Sequence, residues 1–447
     1  MIKGDRLELT IDAIDDEGAG VGNCQEWRVH VGFSLPGERV AATVEHCSPH
    51  ATAAWAHLDT LLEPSPARVA PACAAFSHCG GCLLQHWHYP EQLAHKRSLV
   101  ERSLGPLGIR VAETVPSLRP FGYRNRSKFV VGQRDGRILL GAYAPRSHRL
   151  IDLTGCAIAE PPIEATAQAI GQIATELGVL AYDETSGTGD LRYVVLRSNH
   201  AGKVLALFVV PRRNSRAVRD LARRLRAARP EVVGVVENLQ PEQTNVLYGQ
   251  LEPDRPLDGG DTIEDRMGPV KLRLSPRAFL QINRSVAARI YADLAAAVGR
   301  AERAIDVYCG VGAIALTLSA EVIDVLGIEE VAEAIEDARA SAELNSAKNV
   351  RFVAGDAALV LADPTIAGKR ADAVVLNPPR RGCLPEVLAA AARLEPRTLV
   401  YVSCNPTTLA RDLKLLDQLG YRAESATPYD MLPHTPHVEI MTVLQPR

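Results

Sequence analysis

Apolar and polar residues alternate with different periods along the chain, and the change of period separates three regions. In the first region, short runs with strand-like alternation, such as Leu7–Ile11 and Trp27–Val31, are separated by Gly and Pro. Short strands joined by frequent turns are typical of a small β-barrel. A Pro-rich stretch that begins at Pro64 indicates a linker. The pattern therefore predicts a β-barrel over residues 1–63.

The second region, residues 64–276, has a mixed pattern that predicts an α+β domain. The stretch between residues 123 and 210 is mostly strand-like, and Asp135-Gly136 lies between two apolar runs as a hairpin signal. Part of residues 85–116 is expected to pack with the third region. The other predicted elements are helices at 91–103 and Ser215–Ala228 and strands at Leu191–Arg197, Val204–Val210 and Val232–Val236.

In the third region, residues 277–447, strand-like apolar runs alternate with helical patterns. Repeated alternation of this kind predicts a doubly wound parallel sheet, which is a Rossmann-like α/β fold. The last run, His437–Leu444, follows its predecessor without a long helix and is predicted to be an antiparallel edge strand. The predicted strands are 303–308, 323–328, 350–353, 371–376 and 398–403, and the predicted helices are 313–320, 331–345, 384–393 and 406–419.

Composition and charge restrict the classes of protein that fit this organisation. Of the 447 residues, 47% are hydrophobic and 23% are charged, which excludes a disordered, collagen-like or small disulfide-stapled protein. The 50 Lys and Arg and 53 Asp and Glu residues give a net charge of -3, which excludes a polycation that coats nucleic acid by charge alone. The polar start and the shortness of the apolar runs predict a cytoplasmic protein without a membrane segment, and we expect a monomer.

A glycine-rich turn marks a candidate nucleoside-binding site in the third region. Gly310 and Gly312 lie between a predicted strand and a predicted helix, where they let the backbone turn tightly and approach a ligand. Glu329 ends the next strand, where a carboxylate can accept hydrogen bonds from ribose hydroxyls. Asp356 follows the third strand and is placed to meet an adenine amino group. NAD(P) and S-adenosylmethionine both satisfy this arrangement.

A stiff loop follows the fourth predicted strand. Asn377 precedes Pro378 and Pro379 at the carboxyl end of the strand, where sheets of this type bind ligands. Methyltransferases that act on amino groups have an aromatic residue after the prolines, which stacks on a flipped base. Arg380 occupies that position here. The sequence therefore argues against methylation of an exocyclic amino group and leaves methylation of a ring carbon open.

Cys404 and Glu439 are the candidate nucleophile and base. Cys404 ends a predicted strand and precedes a helix opened by Pro406, and we expect the N-terminus of this helix to stabilise the thiolate. Addition of a thiolate to C6 of uracil makes C5 nucleophilic toward a sulfonium methyl group, and a base must then remove the C5 proton. Glu439 is a lone acid among apolar residues of the last strand, where burial is expected to raise its pKa.

These residues together give the chain a resemblance to the bacterial uracil-5-methyltransferases of RNA, specifically the branch that acts on 23S rRNA and carries an N-terminal TRAM domain. The similarity covers nearly the whole chain, and Gly18–Gly22 and Phe33–Glu38 look like TRAM motifs. The resemblance implies a class I methyltransferase domain, S-adenosylmethionine as the methyl donor, Cys404 as nucleophile and Glu439 as base. The cofactor contacts that it implies are Gln281, Tyr308, Gly310, Gly312, Glu329, Asp356 and Asn377.

Three cysteines lie within ten residues of one another, and a cytosolic protein is not expected to pair them in disulfides. Together with one distant cysteine they resemble the four-cysteine site of the same branch, which holds a 4Fe–4S cluster. By spacing alone, four cysteines hold zinc equally well, and nearby histidines keep that alternative open. The residues concerned are Cys73, Cys79, Cys82 and the distant Cys156, with His78, His86 and His88.

The chain also departs from the pattern of this family at three positions. Ala313 follows the second glycine where many members have Asn, so one cofactor contact is expected to be missing. Asn377 replaces the Asp of many members, which excludes a charged role there. Leu432 stands where an aromatic residue is usual, which is expected to alter the packing of the substrate.

Local basic clusters are expected to hold RNA around a flipped target uridine. The expected substrate is 23S rRNA, and a tRNA uridine is the alternative. An NAD(P)-dependent iron–sulfur oxidoreductase and a non-catalytic RNA-binding protein with a structural metal are the competing classes, and neither gives a role to Cys404 or Glu439. The basic clusters are Arg124, Arg126 and Lys128; Arg146, His148 and Arg149; Arg212, Arg213 and Arg216; and Arg380 and Arg381.

Overall fold

The structure is a computed structural model that describes residues 1–145, 147–244, 246–368 and 370–447. Arg146, a member of one predicted basic cluster, lies outside the described residues. Within these ranges, no helix combines the length and the apolar character needed to cross a membrane.

The N-terminal sheet has six strands in the order β1-β5-β6-β4-β3-β2. Asp12, between β1 and β2, donates its N–H to Val21 O in β3, so the first stretch of chain joins both edges of the sheet. The two backbones approach closely here, because a Cβ on Gly22 would lie 2.1 Å from Thr10 O. The sheet thus closes around a small apolar core. Its strands are β1 (Arg6–Thr10), β2 (Ala13–Ile14), β3 (Gly20–Cys24), β4 (Trp27–Val31), β5 (Arg39–Cys47) and β6 (Ala53–Glu63).

Residues 64–88, here called the cysteine segment, contain no helix or strand, and every one of them is described. Side chains hold the segment in place. Gln85 accepts a hydrogen bond from the backbone N–H of Cys73 at 3.2 Å, and Arg68 pairs with the buried Glu38 of the barrel. The segment leads into helix α1 (Tyr89–Leu104), a single 3-10 turn (Gly105–Leu107) and strand β7 (Arg110–Val111).

The central sheet has seven strands in the order β10-β9-β8-β11-β12-β13-β14 and is antiparallel except between β12 and β13. Asp135 and Gly136 join β8 to β9 with positive φ at both positions, which confirms the predicted hairpin. The strand-like interpretation of residues 123–210 is wrong for helix α2, which begins at two prolines without a side-chain cap. The elements are β8 (Arg126–Arg134), β9 (Arg137–Tyr143), β10 (Leu150–Asp152), α2 (Pro161–Glu176), β11 (Tyr193–Ser198), β12 (Val204–Val210), α3 (Arg216–Ala228), β13 (Val232–Leu239) and β14 (Arg255–Gly259).

A hairpin and a long helix connect the central sheet to the last region. Strands β15 (Ile263–Met267) and β16 (Val270–Leu274) pair with each other, and helix α4 (Arg284–Val298) follows. The side chain of Asn283 caps α4, since it accepts a hydrogen bond from Val286 N–H. These elements pack in one apolar core with helices α5 (Ala313–Leu318) and α6 (Ala332–Leu344), which cover the C-terminal sheet.

The C-terminal sheet has the order β19-β18-β17-β20-β21-β23-β22-β7. The five strands β17 to β21 are parallel, which confirms the predicted doubly wound α/β fold. Strand β23 is antiparallel to them. The edge position predicted for the last strand is wrong, because β22 and β7 cover it on its outer side. The strands are β17 (Ala301–Val307), β18 (Val322–Glu329), β19 (Val350–Ala354), β20 (Ala373–Leu376), β21 (Thr398–Ser403), β22 (Tyr421–Tyr429) and β23 (Glu439–Pro446).

Helices cover both faces of this sheet, and the strands are buried on both sides. In β21, Leu399 and Tyr401 belong to one core while Val400 and Val402 belong to the other. Burial on both faces explains the nearly continuous apolar runs in the sequence. The helices that follow α4 are α5 (Ala313–Leu318), α6 (Ala332–Leu344), α7 (Ala357–Ala362), α8 (Pro385–Arg393) and α9 (Pro406–Gln418).

Candidate active site

A cavity of about 990 Å³ opens at the carboxyl ends of the parallel strands of the C-terminal sheet. The segment before α4 and the start of β23 complete its wall. Gly312 and Asp356 are absent from the lining formed by the described residues. The other seven residues predicted for catalysis or cofactor binding line it: Gln281, Tyr308, Gly310, Glu329, Asn377, Cys404 and Glu439.

The glycine-rich turn after β17 forms one wall of the cavity. Tyr308, Gly310 and Gly312 have φ angles of 66°, 53° and 82°. This backbone region is costly for a bulky residue such as Tyr308, and such strain is concentrated at functional sites. Glycine is also required for packing at position 312, because a Cβ there would lie 2.7 Å from the Phe352 ring. Gly312 therefore shapes the turn from outside the cavity.

The carboxylate of Glu329 is oriented by backbone groups at the end of β18. Its Oε2 accepts a hydrogen bond from Gly310 N–H at 3.1 Å, and its Oε1 accepts from the next two N–H groups of the chain at 2.9 and 3.0 Å. Asp356 has a different local role, because its Oδ1 accepts from Leu359 N–H at 3.0 Å and caps α7. Its contact with adenine stays a prediction.

Asp306 is a candidate site residue that the sequence interpretation did not single out. It lies in β17 two residues before Tyr308 and is fully buried, and burial raises its pKa to about 8. Its Oδ2 accepts from Ala315 N–H at 2.9 Å, whereas Oδ1 has no hydrogen-bond partner among the described residues. The detectable signal was an acid between the apolar residues Ile305 and Val307, just before the glycines. Asp306 is not among the described residues that line the cavity, so its carboxyl supports the glycine-rich turn rather than contacting the cavity directly.

The loop after β20 is tied to the start of helix α9. The Nδ2 of Asn405 and the Oγ1 of Thr408 each donate to Arg380 O at 3.2 Å. Arg380 and Arg381 both line the cavity rather than lying on a remote solvated loop. Asn377 lines the cavity as well, and its backbone N–H donates to Val307 O at 3.3 Å.

Cys404 is half-buried at the carboxyl end of β21. Burial raises the pKa of its thiol, the nearby Glu439 carboxylate raises it further, and Arg380 lowers it. Burial is the largest of these effects. The expected stabilisation of the thiolate by the α9 N-terminus stays a prediction, and the Asn405 side chain already accepts hydrogen bonds there from the N–H groups of Thr407 and Thr408. Arg380 is the cation that favours the thiolate.

Glu439 is the first residue of β23 and is only 6% exposed. Burial raises its pKa to about 7, while Arg380 lowers it, so the burial predicted from the apolar surroundings is present. Ser403 pairs with Ile440 in the antiparallel ladder, which brings the next residue of one strand, Cys404, beside the preceding residue of the other, Glu439. A thiol and a carboxyl with a pKa near neutrality thus share one end of the cavity.

The four cysteines predicted to hold a metal group are near one another, and none of them is in a disulfide. Burial raises the pKa of Cys82 to about 12, and the neighbouring Cys156 and Cys79 add to this. Burial also raises the pKa of Cys156, with a contribution from Cys73. The thiol donors suit iron or zinc. Nevertheless, no group of three or more His, Cys, Asp or Glu side chains among the described residues is arranged to hold a metal ion.

The basic residues predicted to contact RNA differ in how far they are engaged within the protein. Arg126 donates to Ala278 O at 3.2 Å, and Arg213 pairs with Glu252. In contrast, the Arg216 side chain is 91% exposed. An RNA-binding surface built from these residues stays a prediction.

Comparison with known proteins places the whole chain in one family. Residues 262–447 match a family model described as tRNA (uracil-5-)-methyltransferase. An uncharacterized RNA methyltransferase of Listeria innocua is 37% identical over 99% of this chain and 98% of its own length. An uncharacterized RNA methyltransferase of Geobacter sulfurreducens is 39% identical over 99% of this chain and 90% of its own length.

One solved structure is similar to this chain over nearly its whole length. The tRNA (uracil-54, C5)-methyltransferase of Pyrococcus abyssi, in complex with S-adenosyl-L-homocysteine, is 28% identical and has a TM-score of 0.80, with 98% of this chain and 100% of that chain covered. Similarity over nearly the full length thus includes the barrel and the central sheet as well as the cavity-bearing region. The chain belongs to the same family as these RNA methyltransferases, and its residues 262–447 match the tRNA (uracil-5-)-methyltransferase model.

Proposed function

We propose that the protein transfers a methyl group from S-adenosylmethionine to C5 of a uridine in RNA. The observation that carries the proposal is the pairing of β21 with β23, which brings Cys404 beside Glu439 at the wall of one cavity. A thiol adjacent to a buried carboxyl supplies the nucleophile and the base that this reaction requires.

Cys404 and Glu439 act in turn on the two carbons of the uracil double bond. The Cys404 thiolate forms a C–S bond to C6, and the displaced π electrons form an enolate whose C5 is nucleophilic. When bound, S-adenosylmethionine supplies an electrophilic methyl group to C5 and leaves as S-adenosylhomocysteine. The Glu439 carboxylate then takes the C5 proton, and the electrons of the broken C–H bond restore the double bond and expel the Cys404 thiolate.

Arg380 favours the ionised forms that both steps need. Burial raises the pKa of Cys404 and of Glu439, which disfavours the thiolate and the carboxylate, and the Arg380 guanidinium opposes this effect at both groups. One cation therefore serves the addition step and the proton-removal step.

The turn after β17 and its surroundings are the proposed site of the methyl donor. Glu329, with its carboxylate held by Gly310 N–H, is suited to accept hydrogen bonds from ribose hydroxyls. Asp306 supports this turn from behind, because its Oδ2 accepts a hydrogen bond from Ala315 N–H at 2.9 Å. The residues proposed to bind the cofactor are Gln281, Tyr308, Gly310, Glu329, Asp356 and Asn377, while Gly312 gives the turn its shape.

The test uses RNA that contains 5-fluorouridine. Fluorine cannot leave C5 as a cation, so the methylated adduct stays linked to the protein. Wild-type protein with S-adenosylmethionine should form a covalent protein–RNA band on a denaturing gel, and mass spectrometry should map the link to Cys404. Cys404→Ala should form no adduct, whereas Cys24→Ala, a change in the barrel, should behave as wild type. Absence of an adduct with wild type would sink the proposal.

The proposed target is a uridine of 23S rRNA. The barrel and the four cysteines support this choice through the resemblance to the rRNA branch, while the related Pyrococcus abyssi enzyme is named for uracil 54 of tRNA. Mapping of 5-methyluridine in ribosomal and transfer RNA from a strain that lacks the gene decides between them. Loss of the modified base from tRNA alone would exclude the rRNA target.

The regional roles are part of the same proposal. Residues 1–63 act as a TRAM-like RNA-binding barrel, residues 64–276 carry the cysteines, and residues 277–447 form the methyltransferase domain. The protein acts as a monomer in the cytoplasm. A 4Fe–4S cluster on Cys73, Cys79, Cys82 and Cys156 rests on the resemblance of these residues to the four-cysteine site of the rRNA branch. Anaerobically purified protein should contain iron and sulfide, and a zinc-loaded, colourless protein would contradict this assignment.

A further inference from the structure

The loop that leads to Glu439 has an unusual support. Residues 430–438, here called the base loop, connect β22 to β23. Tyr429 and Glu439 are paired across the ladder, so the base loop begins and ends at the rung that contains the proposed base. Met431 and Leu432 of the loop line the cavity. A shift of the base loop therefore moves Glu439 relative to the substrate.

A buried ion pair fixes the first half of the base loop. Lys96 of helix α1 pairs with Asp430, and neither side chain is exposed. Lys96 Nζ also donates to Leu432 O at 2.9 Å, and the hydroxyl of Tyr89 donates to the Asp430 carboxylate at 2.6 Å. A buried pair is weak support for stability, because desolvation of both charges offsets their attraction. The pair instead orients the base loop, since Lys96 binds both a side chain and a backbone carbonyl of that loop.

A second set of hydrogen bonds fixes the middle of the base loop at His434. This residue has a φ of 66°, a strained value for a residue other than glycine. Its N–H donates to Gln92 Oε1 at 3.0 Å, and its carbonyl accepts from the N–H groups of Leu83 and Leu84 at 2.8 and 3.0 Å. Gln92 is itself fully buried. The strained conformation is thus held by partners outside the loop.

These partners share one origin in the sequence. Leu83, Leu84, Tyr89, Gln92 and Lys96 all lie within fourteen residues that start directly after Cys82. Cys404, in contrast, lies at the end of β21, and the loop beside it is held by Asn405 and Thr408 of helix α9. The β21–β23 ladder holds both reactive groups, but the loops beside the nucleophile and before the base have different additional supports.

We propose that Tyr89, Gln92 and Lys96 are positioning residues for Glu439, and that through the base loop they control removal of the C5 proton. The inference rests on the proposed function, because it assigns Glu439 the role of base. Loosening the base loop should slow elimination, whereas addition of Cys404 and methyl transfer continue. The covalent intermediate on ordinary RNA should then accumulate, which loss of folding alone does not produce.

The experiment compares Tyr89→Phe and Asp430→Asn with wild type. Turnover on uridine RNA should fall, by up to about 100-fold for a displacement of 1 Å. The fraction of enzyme trapped covalently on uridine RNA should rise, and adduct formation with 5-fluorouridine RNA should stay near the wild-type rate, because that adduct needs no proton removal. Tyr89→Phe removes one hydroxyl without an unpaired charge, so it keeps the test valid if Asp430→Asn fails to fold.

A matched control is Glu237→Gln, which changes another buried carboxyl in an ion pair, with Arg255 of the central sheet, away from the base loop. It should lower thermal stability and trap no intermediate. If wild type forms no adduct with 5-fluorouridine RNA, the proposed function fails. If wild type forms it and Tyr89→Phe or Asp430→Asn slows adduct formation and turnover in parallel without a trapped intermediate, only the positioning role is overturned.

Discussion

The C-terminal sheet holds its reactive side chains at the ends of two paired strands, whereas the cysteine segment relies mainly on side-chain contacts. In the sheet, the positions of Cys404 and Glu439 follow from the register of β21 and β23, which backbone hydrogen bonds define. The cysteine segment has no helix or strand, and contacts such as the one between Gln85 and Cys73 keep it in place. Backbone pairing tolerates a change of side chain, whereas a segment with a single isolated bridge, between Arg68 and Trp87, depends more on particular side chains.

The difference teaches where function and stability can be separated. A substitution of Cys404 or Glu439 removes a reactive group and leaves the backbone ladder intact, so it should affect chemistry more than folding. A substitution in the cysteine segment removes part of what holds the backbone, so it should affect folding first. Each prediction below tests one side of this contrast.

Glu439→Gln should have the largest effect on chemistry. Loss of a general base lowers turnover by about 10²–10⁴-fold. The Cys404 nucleophile is unchanged, so covalent enzyme should accumulate on uridine RNA, which rapid-quench assays on denaturing gels measure. Elimination at the wild-type rate would show that another group removes the proton.

The same substitution should change how stability depends on pH. Burial raises the pKa of Glu439 to about 7, so the folded state binds this proton more tightly than the unfolded state. Stability should be highest below the unfolded pKa and should fall as the pH rises through about 7, where a buried carboxylate must form. In Glu439→Gln the fall should be smaller, and it should not vanish, because Asp306 with a pKa of about 8 contributes in the same direction. Thermal unfolding as a function of pH measures both slopes.

Arg380→Gln should have the next largest effect. Arg380 lowers the pKa of both Cys404 and Glu439, so its loss should move the rise of activity with pH to higher pH. At a fixed pH below the pKa, the ionised fraction falls about tenfold for a pKa that is higher by one. The matched control Arg381→Gln changes a neighbouring cation that also lines the cavity but does not act on these two groups. An equal loss at every pH would indicate a role in RNA binding instead.

The contrast also explains which parts of the molecule were predictable from the sequence. The parallel strands and the Asp135-Gly136 hairpin were predictable because period and turn chemistry are local properties. The helix Pro161–Glu176 was not, because its start has no capping side chain. Nor was the interior position of β23, because strand β22 (Tyr421–Tyr429), which covers its outer side, was not predicted from the sequence.

The site divides in the same way. Cys404 and Glu439 could be singled out by their positions at strand ends, and the proposed burial of Glu439 followed from its apolar neighbours. The dominant effect on the Cys404 thiol could not be predicted, because burial and Arg380 act across space. The support of the base loop by Lys96 is equally invisible in the sequence, since 334 positions separate Lys96 from Asp430.

Cys79→Ser should mainly affect stability. If the four thiols hold a metal cluster, loss of one removes the bound iron and the stabilisation it provides. A domain of this size loses about 2–4 °C of Tm per kcal/mol. Iron content and Tm should both fall. The control Cys47→Ser, which changes a cysteine of the barrel, should leave both unchanged. An unchanged Tm in Cys79→Ser would show that the segment is held without the cluster.

The smallest effects are expected in the glycine-rich turn, where substitutions of Gly310 and Gly312 should separate ligand binding from stability. Gly310 has a φ of 53° and lines the cavity, and among the described residues only its chain neighbours lie within 4 Å of where a Cβ would be. Gly310→Ala should therefore place a methyl group in space that the ligand needs and weaken binding of S-adenosylhomocysteine. Its cost in stability should be only the roughly 1–2 kcal/mol of a left-handed alanine.

At Gly312 the Cβ would instead overlap the Phe352 ring, so Gly312→Ala should lower stability further than Gly310→Ala does. Because Gly312 does not line the cavity, the affinity of the folded variant for S-adenosylhomocysteine should change less. Calorimetric titration and thermal unfolding measure the two quantities. A larger loss of stability in Gly310→Ala than in Gly312→Ala would contradict this division, because the turn would then be limited by backbone strain rather than by packing.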